Sequence, residues 1–428
     1  MEGIMEIPSE EIRRLYRPRV VDPWVSRLLR ISGGVRIIGC KWCGKSWTGV
    51  VHSNSSAFIG TESGRKVAEM DPELVLRGEE PRLIDEWQDV PNLWDVARMK
   101  MDFNARKGMY IFTGSSLPRR KSTSHTGTGR FATVMMRPMS LFESGDSTGV
   151  VSLSGLFNGN AVVSSPSKLN YETAVQLICR GGWPAALGMD PADALIVPKL
   201  YSESLINSDL SSFDGVKRDP GIMRNLLGSL ARNNATTAKM PVLVADIAKE
   251  ERSICEQTAR EYLDVLKRVF VIEEQPAWAP SLRSRKRMRT SPKRHFTDPS
   301  LAAACLSAGP AMIQNDPNTA GFLFESLCYR DLSVYASSFG GHVGHYRDDS
   351  DLEIDSIVTY GDGRWGAVEA KMGYEDADDA AANLLRLKNK LAGEAAEPSF
   401  MMVLCATGGA AYMRKDGVAV VPIDCLGP

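Results

Sequence analysis

The chain has 428 residues, 43% of them hydrophobic and 24% charged, with a net charge of −1. That length is too great for one ordinary core, and the near-zero charge excludes a global pull toward nucleic acid or acidic membranes, so any such attraction must come from a local patch. No run approaches the ~20 apolar residues that a membrane helix needs, which predicts no membrane partner. The start, Met1-Glu2-Gly3-Ile4-Met5-Glu6, lacks the basic and apolar regions of a secretory leader; a cytoplasmic protein is the expectation.

In chain order, residues 1 to about 30 read as a lead-in. Apolar residues recur at helical spacing from Val20 to Leu29, after Tyr16-Arg17-Pro18-Arg19. Arg17 or Arg19 is a candidate contact for adenine or phosphate. Val35-Arg36-Ile37-Ile38 reads as a buried strand. It runs into Gly39-Cys40-Lys41-Trp42-Cys43-Gly44-Lys45-Ser46, which fits G-x-x-x-x-G-K-[ST] at every fixed position, and a helix can start from Trp47. Strand, glycine loop and helix together make a phosphate-binding loop. Its glycines let successive N–H groups converge on phosphate oxygens. Lys45 is then placed for the β- and γ-phosphates and the Ser46 hydroxyl for Mg²⁺. Cys40 and Cys43 form a C-x-x-C inside this loop, a spacing that also suits redox or zinc chemistry. A second C-x-x-C is missing and a nucleotide would compete for the same backbone, so packing of the loop is the expectation.

Pro81-Arg82-Leu83-Ile84-Asp85-Glu86 is a short apolar strand ending in two carboxylates. Beside a phosphate loop, the first (Asp85) holds Mg²⁺, usually through water, and the second (Glu86) polarises the water that attacks the γ-phosphate. Met109 to Ser116 is a third apolar strand ending in small hydroxyl residues. Thr113 and Ser115 are both candidates for sensing the γ-phosphate. Residues 119 to 130 are polar and glycine-bearing and read as a loop near the nucleotide. Arg130, at its end, is the first candidate for an arginine finger, and Arg137 is the second.

The order of phosphate loop, L-I-D-E-W-Q (83–88) and I-F-T-G-S-S (111–116), then Thr128-Gly129-Arg130-Phe131 and Met136-Arg137-Pro138-Met139-Ser140-Leu141-Phe142-Glu143, resembles a family of prokaryotic AAA-like ATPases with a C-terminal domain of unknown function. Gly181-Gly182-Trp183-Pro184 and Ser291 to Pro299 also match that family's habits. The resemblance implies an α/β P-loop core with ATP as ligand, and covers essentially the whole chain.

The expected division is an ATPase core over 1–165, a helical lid over 166–215, a winged-helix module over 216–300 and a nuclease-like α/β domain over 301–428. Helical patterns at 171–178 and 194–205 suit the lid, with 181–184 as a sharp turn between helices. Three helix-like stretches (222–231, 241–248, 253–265) and a strand at 269–272 suit the winged helix. Seven Lys/Arg between Arg283 and Arg294 offer phosphate contacts to DNA or RNA, although such modules also serve as joints to protein partners.

In the last domain, Glu325 is the single carboxylate of a helix-like stretch. Leu352-Glu353-Ile354-Asp355 and Trp365-Gly366-Ala367-Val368-Glu369-Ala370-Lys371 alternate as strands. Residues two apart in a strand share a face, so Glu369 and Lys371 point the same way. The pattern resembles the PD-(D/E)xK nucleases. That implies Asp355 and Glu369 as ligands of a divalent cation, Glu325 in support, and Lys371 orienting or deprotonating a water. Two functions stay open: an ATP hydrolase coupled to a nuclease-like domain, and a nucleotide-switched binding protein whose nuclease-like fold only docks a partner.

Overall fold

The computed structural model describes residues 9–116, 129–162, 164–209, 215–248, 254–280 and 291–428. It divides into two compact units, Met1–Pro138 with Arg268–Phe270, and Met139–Lys267 with Val271–Pro428.

The first unit is built on a five-stranded sheet in the order β2 (Ser55–Phe58), β3 (Arg82–Asp85), β4 (Tyr110–Gly114), β1 (Gly34–Ile38), β5 (Phe131–Met135). Every pairing in it is parallel. Parallel strands need covering helices on the return path, and all four residues of β3 and all five of β4 are buried accordingly. One side is packed by aromatics. Trp94 stacks on Trp87 at 4.9 Å and on Phe131 at 3.8 Å, and Phe112 meets all three edge-on. The helix Lys45–Val51 lies close on the sheet, because a Cβ at Gly49 would come within 2.7 Å of Leu83.

The second unit holds a seven-stranded sheet, β10 (His342–Arg347), β11 (Glu353–Thr359), β12 (Trp365–Lys371), β13 (Phe400–Cys405), β15 (Val418–Pro422), β14 (Ala410–Met413) and β7 (Ser165–Pro166). β10, β11 and β12 are antiparallel neighbours, whereas β12, β13 and β15 run parallel. The long helix Pro317–Ser337 precedes β10 and the helix Ala377–Lys390 joins β12 to β13.

The boundary expected at residue 165 differs from the one observed. Residues 139–166 thread through the second unit: β6 (Val151–Ser152) pairs with β16 (Leu426–Gly427), and β7 extends the large sheet through β14. The helices expected as a lid, Tyr171–Arg180 and Val197–Ser204, pack on Pro299–Cys305 inside this unit. The three helices expected between 216 and 268 occur at Pro220–Arg232, Met240–Ala248 and Glu256–Arg268. The strand after them is displaced from 269–272. Phe270 turns at φ 58 and the strand β8 covers Ile272–Gln275, paired antiparallel with β9 (Lys293–Phe296). Among the described residues no helix is long and apolar enough to cross a membrane.

Residues 139–141, 182–183 and 298–300, drawn from three of the motifs and their flanks, prove to meet in one buried node. Arg330 donates from Nη1 to Asp298 at 2.7 Å and from Nε to Asp331 at 2.8 Å. Asp331 accepts the Leu141 amide at 2.9 Å, and Asp298 accepts the Gly182 amide at 3.0 Å. Trp183 donates to Ser300 at 2.9 Å. Gly182 has no alternative here, since a Cβ would sit 1.9 Å from the Met139 carbonyl oxygen.

Candidate active site

The glycines of the phosphate loop do what the pattern requires. Gly39 has φ +155 and a Cβ there would meet the Met136 oxygen at 2.0 Å; Gly44 turns at φ 100 directly into the helix Lys45–Val51. Trp42 between them also holds a positive φ of 62. Lys41, Trp42 and Trp47 face outward, whereas Cys40 and Cys43 are fully buried. Neither cysteine is in a disulfide. Cys43 Sγ points at the Met136 carbonyl at 3.5 Å. Burial works against the Cys43 thiolate, but the Cys40 side chain, Lys45 and Arg19 outweigh it and bring its pKa down to about 6. Lys45 is 6% exposed, and its ammonium donates to the Cys40 carbonyl at 2.5 Å.

Asp85, at the end of β3, accepts the Ser46 hydroxyl at 3.0 Å and 3.1 Å on its two oxygens, and the Thr113 hydroxyl as well. Burial, then the adjacent Glu86 charge, pushes its carboxyl up to about 6. Glu86 sits in the left-handed region at φ 57, a conformation a non-glycine residue adopts at a cost. Its carboxylate accepts from Gln88 and, at 3.3 Å, from the Ser115 hydroxyl. The two hydroxyls left open as sensors therefore serve different carboxylates, Thr113 serving Asp85 and Ser115 serving Glu86. Gln88 was missed by the sequence reading, although its place two residues after Glu86 was the available signal. Gly114 gives it room: a Cβ there would lie 2.5 Å from Gln88 Oε1.

The lead-in holds the loop in shape. Arg19 is 5% exposed and donates to the Cys43 carbonyl at 2.7 Å and the Arg137 carbonyl at 2.8 Å. It braces the loop backbone. Arg13 donates to the Val50, Val51 and Ser53 carbonyls at the end of the loop's helix, satisfying groups a helix end leaves open. Tyr16 donates to Asp22 at 2.8 Å and meets Thr48 at 2.9 Å, and His52 lies 3.0 Å from Asp22. Burial works to raise the Asp22 carboxyl, but the bonds from His52, the Arg19 amide and Tyr16 win and hold it below its usual value. A depressed folded pKa stabilises fully above the unfolded value and is lost as pH falls through the folded one. Wild type should therefore lose its stability advantage over Asp22→Asn as pH drops below about 4, as paired denaturant curves would read.

Arg130 is in the wrong place for its own chain's nucleotide. Its carbonyl accepts the Gly34 amide at 3.1 Å, where β1 begins, and its side chain pairs with Asp102. β5 runs parallel to β1. A residue that starts β5 thus lies at the opposite end from the phosphate loop, roughly 15 Å away at the usual strand rise. Arg137, beyond the end of β5, is at the loop's end of the sheet. The tract 119–128 lies outside the described residues.

In the second unit, Glu325, Glu353, Asp355, Glu369 and Lys371 do come together, around a residue the sequence reading gave to the basic tract. Lys293 is 2% exposed. Its ammonium lies 2.6 Å from Glu325, 2.8 Å from Glu353 and 3.3 Å from Asp355. Lys371 is 3.5 Å from Glu369, and the Ala370 amide donates to Asp355 at 3.0 Å. Burial and then the Asp355 charge push Glu325 up to about 8 and Glu369 well above its usual range; Asp355 stays depressed despite burial, because Lys293 and Lys371 favour its anion. Among the described residues, Glu369 Oε1 has no hydrogen-bond partner. Among the described residues no group of three or more His, Cys, Asp or Glu is arranged to hold a metal ion. The donor set expected for a cation, Glu325, Asp355 and Glu369, does not fit one as it stands. Arg294, next to Lys293 and partly exposed, donates to the Ala238 carbonyl at 2.5 Å and lies 3.6 Å from Glu274. Of the basic tract, 283–290 lie outside the described residues; of its last two cations, Lys293 is buried in the cluster and Arg294 is partly exposed.

Residues 33–144 match the family described as an AAA domain, 171–311 a domain of unknown function (DUF8612), and 320–426 another (DUF4143). The chain thus carries an AAA-like P-loop ATPase domain. It is similar to the uncharacterized proteins Mb2031c of Mycobacterium bovis and Rv2008c of Mycobacterium tuberculosis, 23% identical over 291 residues, 67% of this chain. The match spans 58% of the length of those relatives. Among solved structures it resembles the Walker-type ATPase PABY2304 of Pyrococcus abyssi (14% identity, 68% of this chain and 97% of that one, TM-score 0.42). Another is the replication initiator DnaA bound to AMPPCP and single-stranded DNA (12% identity, 58% and 86%, TM-score 0.27).

Proposed function

We propose that this chain is a Mg²⁺-dependent ATP hydrolase whose nucleotide state is coupled to its second compact unit. The observation that carries the reading is the contact of Ser46 with both oxygens of buried Asp85, at the head of a helix entered through a glycine turn. A hydroxyl beside a carboxylate is the hard-oxygen donor pair that Mg²⁺ takes alongside nucleotide phosphates. Ser46 and Asp85 would hold it, and when bound it neutralises phosphate charge. The loop amides from Gly39 to Trp47 take the phosphate oxygens, and Lys45 exchanges its bond to the Cys40 carbonyl for one to a phosphate. Glu86, oriented by Gln88 and Ser115, takes the proton of the attacking water. Thr113 fixes the rotamer of Asp85, and Arg137 is the better-supported in-chain candidate for an added cation. Arg130 retains only the role of a finger reaching a neighbouring chain.

Replacing Lys45 by alanine tests the site. Titration with a fluorescent ATP analogue should show binding weakened by at least about tenfold, the equivalent of one lost charge-assisted contact. Unchanged binding and turnover in that variant would overturn the reading.

For the second unit, a helix, three antiparallel strands, a helix and a parallel strand support a PD-(D/E)xK-like framework, with Asp355, Glu369 and Lys371 on adjacent strands. Three helices followed by the β8–β9 hairpin support the winged-helix reading. Of the two functions, the nucleotide-switched binding protein with a non-cleaving unit is favoured by one observation, the lysine buried among the expected metal ligands. DNA, RNA or a protein remains the class of partner this reading calls for.

A further inference from the structure

We propose that the Lys293 ammonium is the resident cation of the acidic cluster, standing where a divalent metal would otherwise bind, so that the second unit operates without a metal ion. The argument begins with occupancy. Nζ lies 2.6 Å from Glu325 Oε1, 2.8 Å from Glu353 Oε1 and 3.3 Å from Asp355 Oδ1. An ammonium has three N–H donors; here Glu325 on a helix and Asp355 on a strand accept hydrogen bonds from it, and Glu353 on the same strand pairs with its charge. A divalent ion held by Glu325 and Asp355 would take oxygens of these same two carboxylates at about 2.0–2.6 Å. It would then share a few ångströms with a like charge in a site of low polarity. The two cations exclude one another.

The lysine is also built in. Its partner in the ladder is Gln275, whose amide donates to the Gly344 and Asp355 carbonyls at 3.0 Å and 2.8 Å, tying β8 to β10 and β11. Two residues on, His295 stacks on Tyr329 at 4.4 Å and bonds Ser326 at 2.7 Å and Gln275 at 2.9 Å. Between them, Arg294 exchanges backbone hydrogen bonds with Ala235 and Thr236 at 2.8 Å and 3.0 Å. A strand pinned on both edges and on its inner face cannot easily withdraw one side chain. Lys293 is therefore a fixed part of the cluster, not a surface cation folded inward.

The consequence is reciprocal. Wild type should show no saturable divalent site at the cluster, and removing the lysine's charge should create one. The experiment is calorimetric titration of Mn²⁺ into nucleotide-free full-length protein, with thermal melts beside it, for wild type, Asp355→Asn, Lys293→Met and the double variant Lys293→Met/Asp355→Asn. The expected result is identical Mn²⁺ behaviour for wild type and Asp355→Asn. Lys293→Met should melt lower without metal, recover with Mn²⁺, and gain one site that the double variant lacks. A Mn²⁺ site in wild type that disappears in Asp355→Asn overturns the proposal, and this arm decides even where Lys293→Met does not fold. A folded Lys293→Met that gains no site overturns it too. Neither result bears on the phosphate loop, which is intact in all four proteins.

Discussion

Glu86→Gln should lower ATP turnover by roughly 10²–10⁴-fold, the usual contribution of a positioned general base, while nucleotide binding stays near wild type. The substitution is nearly isosteric. Its amide oxygen can still accept from Ser115, which reaches Glu86 at 3.3 Å in wild type, and the left-handed backbone at φ 57 asks no more of glutamine than of glutamate. What is removed is the ability to take a proton from water. Lys45→Ala acts at an earlier step, since it deletes the charge proposed to meet the phosphates. The pair separates binding from chemistry: weakened binding for Lys45→Ala, retained binding with little phosphate release for Glu86→Gln. Unchanged phosphate release from Glu86→Gln would mean that another group activates the water, and Glu86 would then be only a strained turn residue.

How much of this was legible in the sequence depended on how local each device is. The phosphate loop was, because its function needs fixed residues at fixed spacing. The two carboxylates after β3 were as well, because a strand end is one position on the chain. Strand alternation put Glu369 and Lys371 on one face, and their meeting with Asp355 and Glu325 was what the resemblance to the PD-(D/E)xK nucleases implied. Arg130 was misplaced because its reach was judged from loop length. Once β5 is parallel to β1, chain direction alone puts the start of β5 at the far end of the sheet. Lys293 was read as part of a basic surface because a charge run looks the same whether or not its last strand is paired. In the hairpin, alternation turns Lys293 and His295 inward, where both are at most 2% exposed. Nothing within the tract distinguishes it from a solvated wing; only the ladder with Ile272–Gln275 does.

The same limit hid the Arg330 node, and its removal should have the largest effect on stability. Arg330, Asp298 and Asp331 are all at most 2% exposed. Arg330→Met keeps the volume and deletes the charge, leaving two carboxylates uncompensated. Breaking a buried pair in this way costs about 3–5 kcal/mol, against a total of about 5–15 kcal/mol for a typical domain. Guanidinium unfolding, followed by the fluorescence of buried tryptophans such as Trp183 and Trp365, should show the second unit's midpoint shifted down accordingly. The damage should come from the orphaned charges rather than from the lost attraction. A triple variant, Arg330→Met with Asp298→Asn and Asp331→Asn, keeps side-chain oxygens that can still accept the Gly182 and Leu141 amides, and it removes both anions. It should therefore recover much of the loss. A single variant that costs under about 1 kcal/mol would mean that water reaches and screens the node. A triple variant as unstable as the single one would mean that the directed bonds of the guanidinium, and not charge balance, join residues 141, 182 and 298 to the long helix.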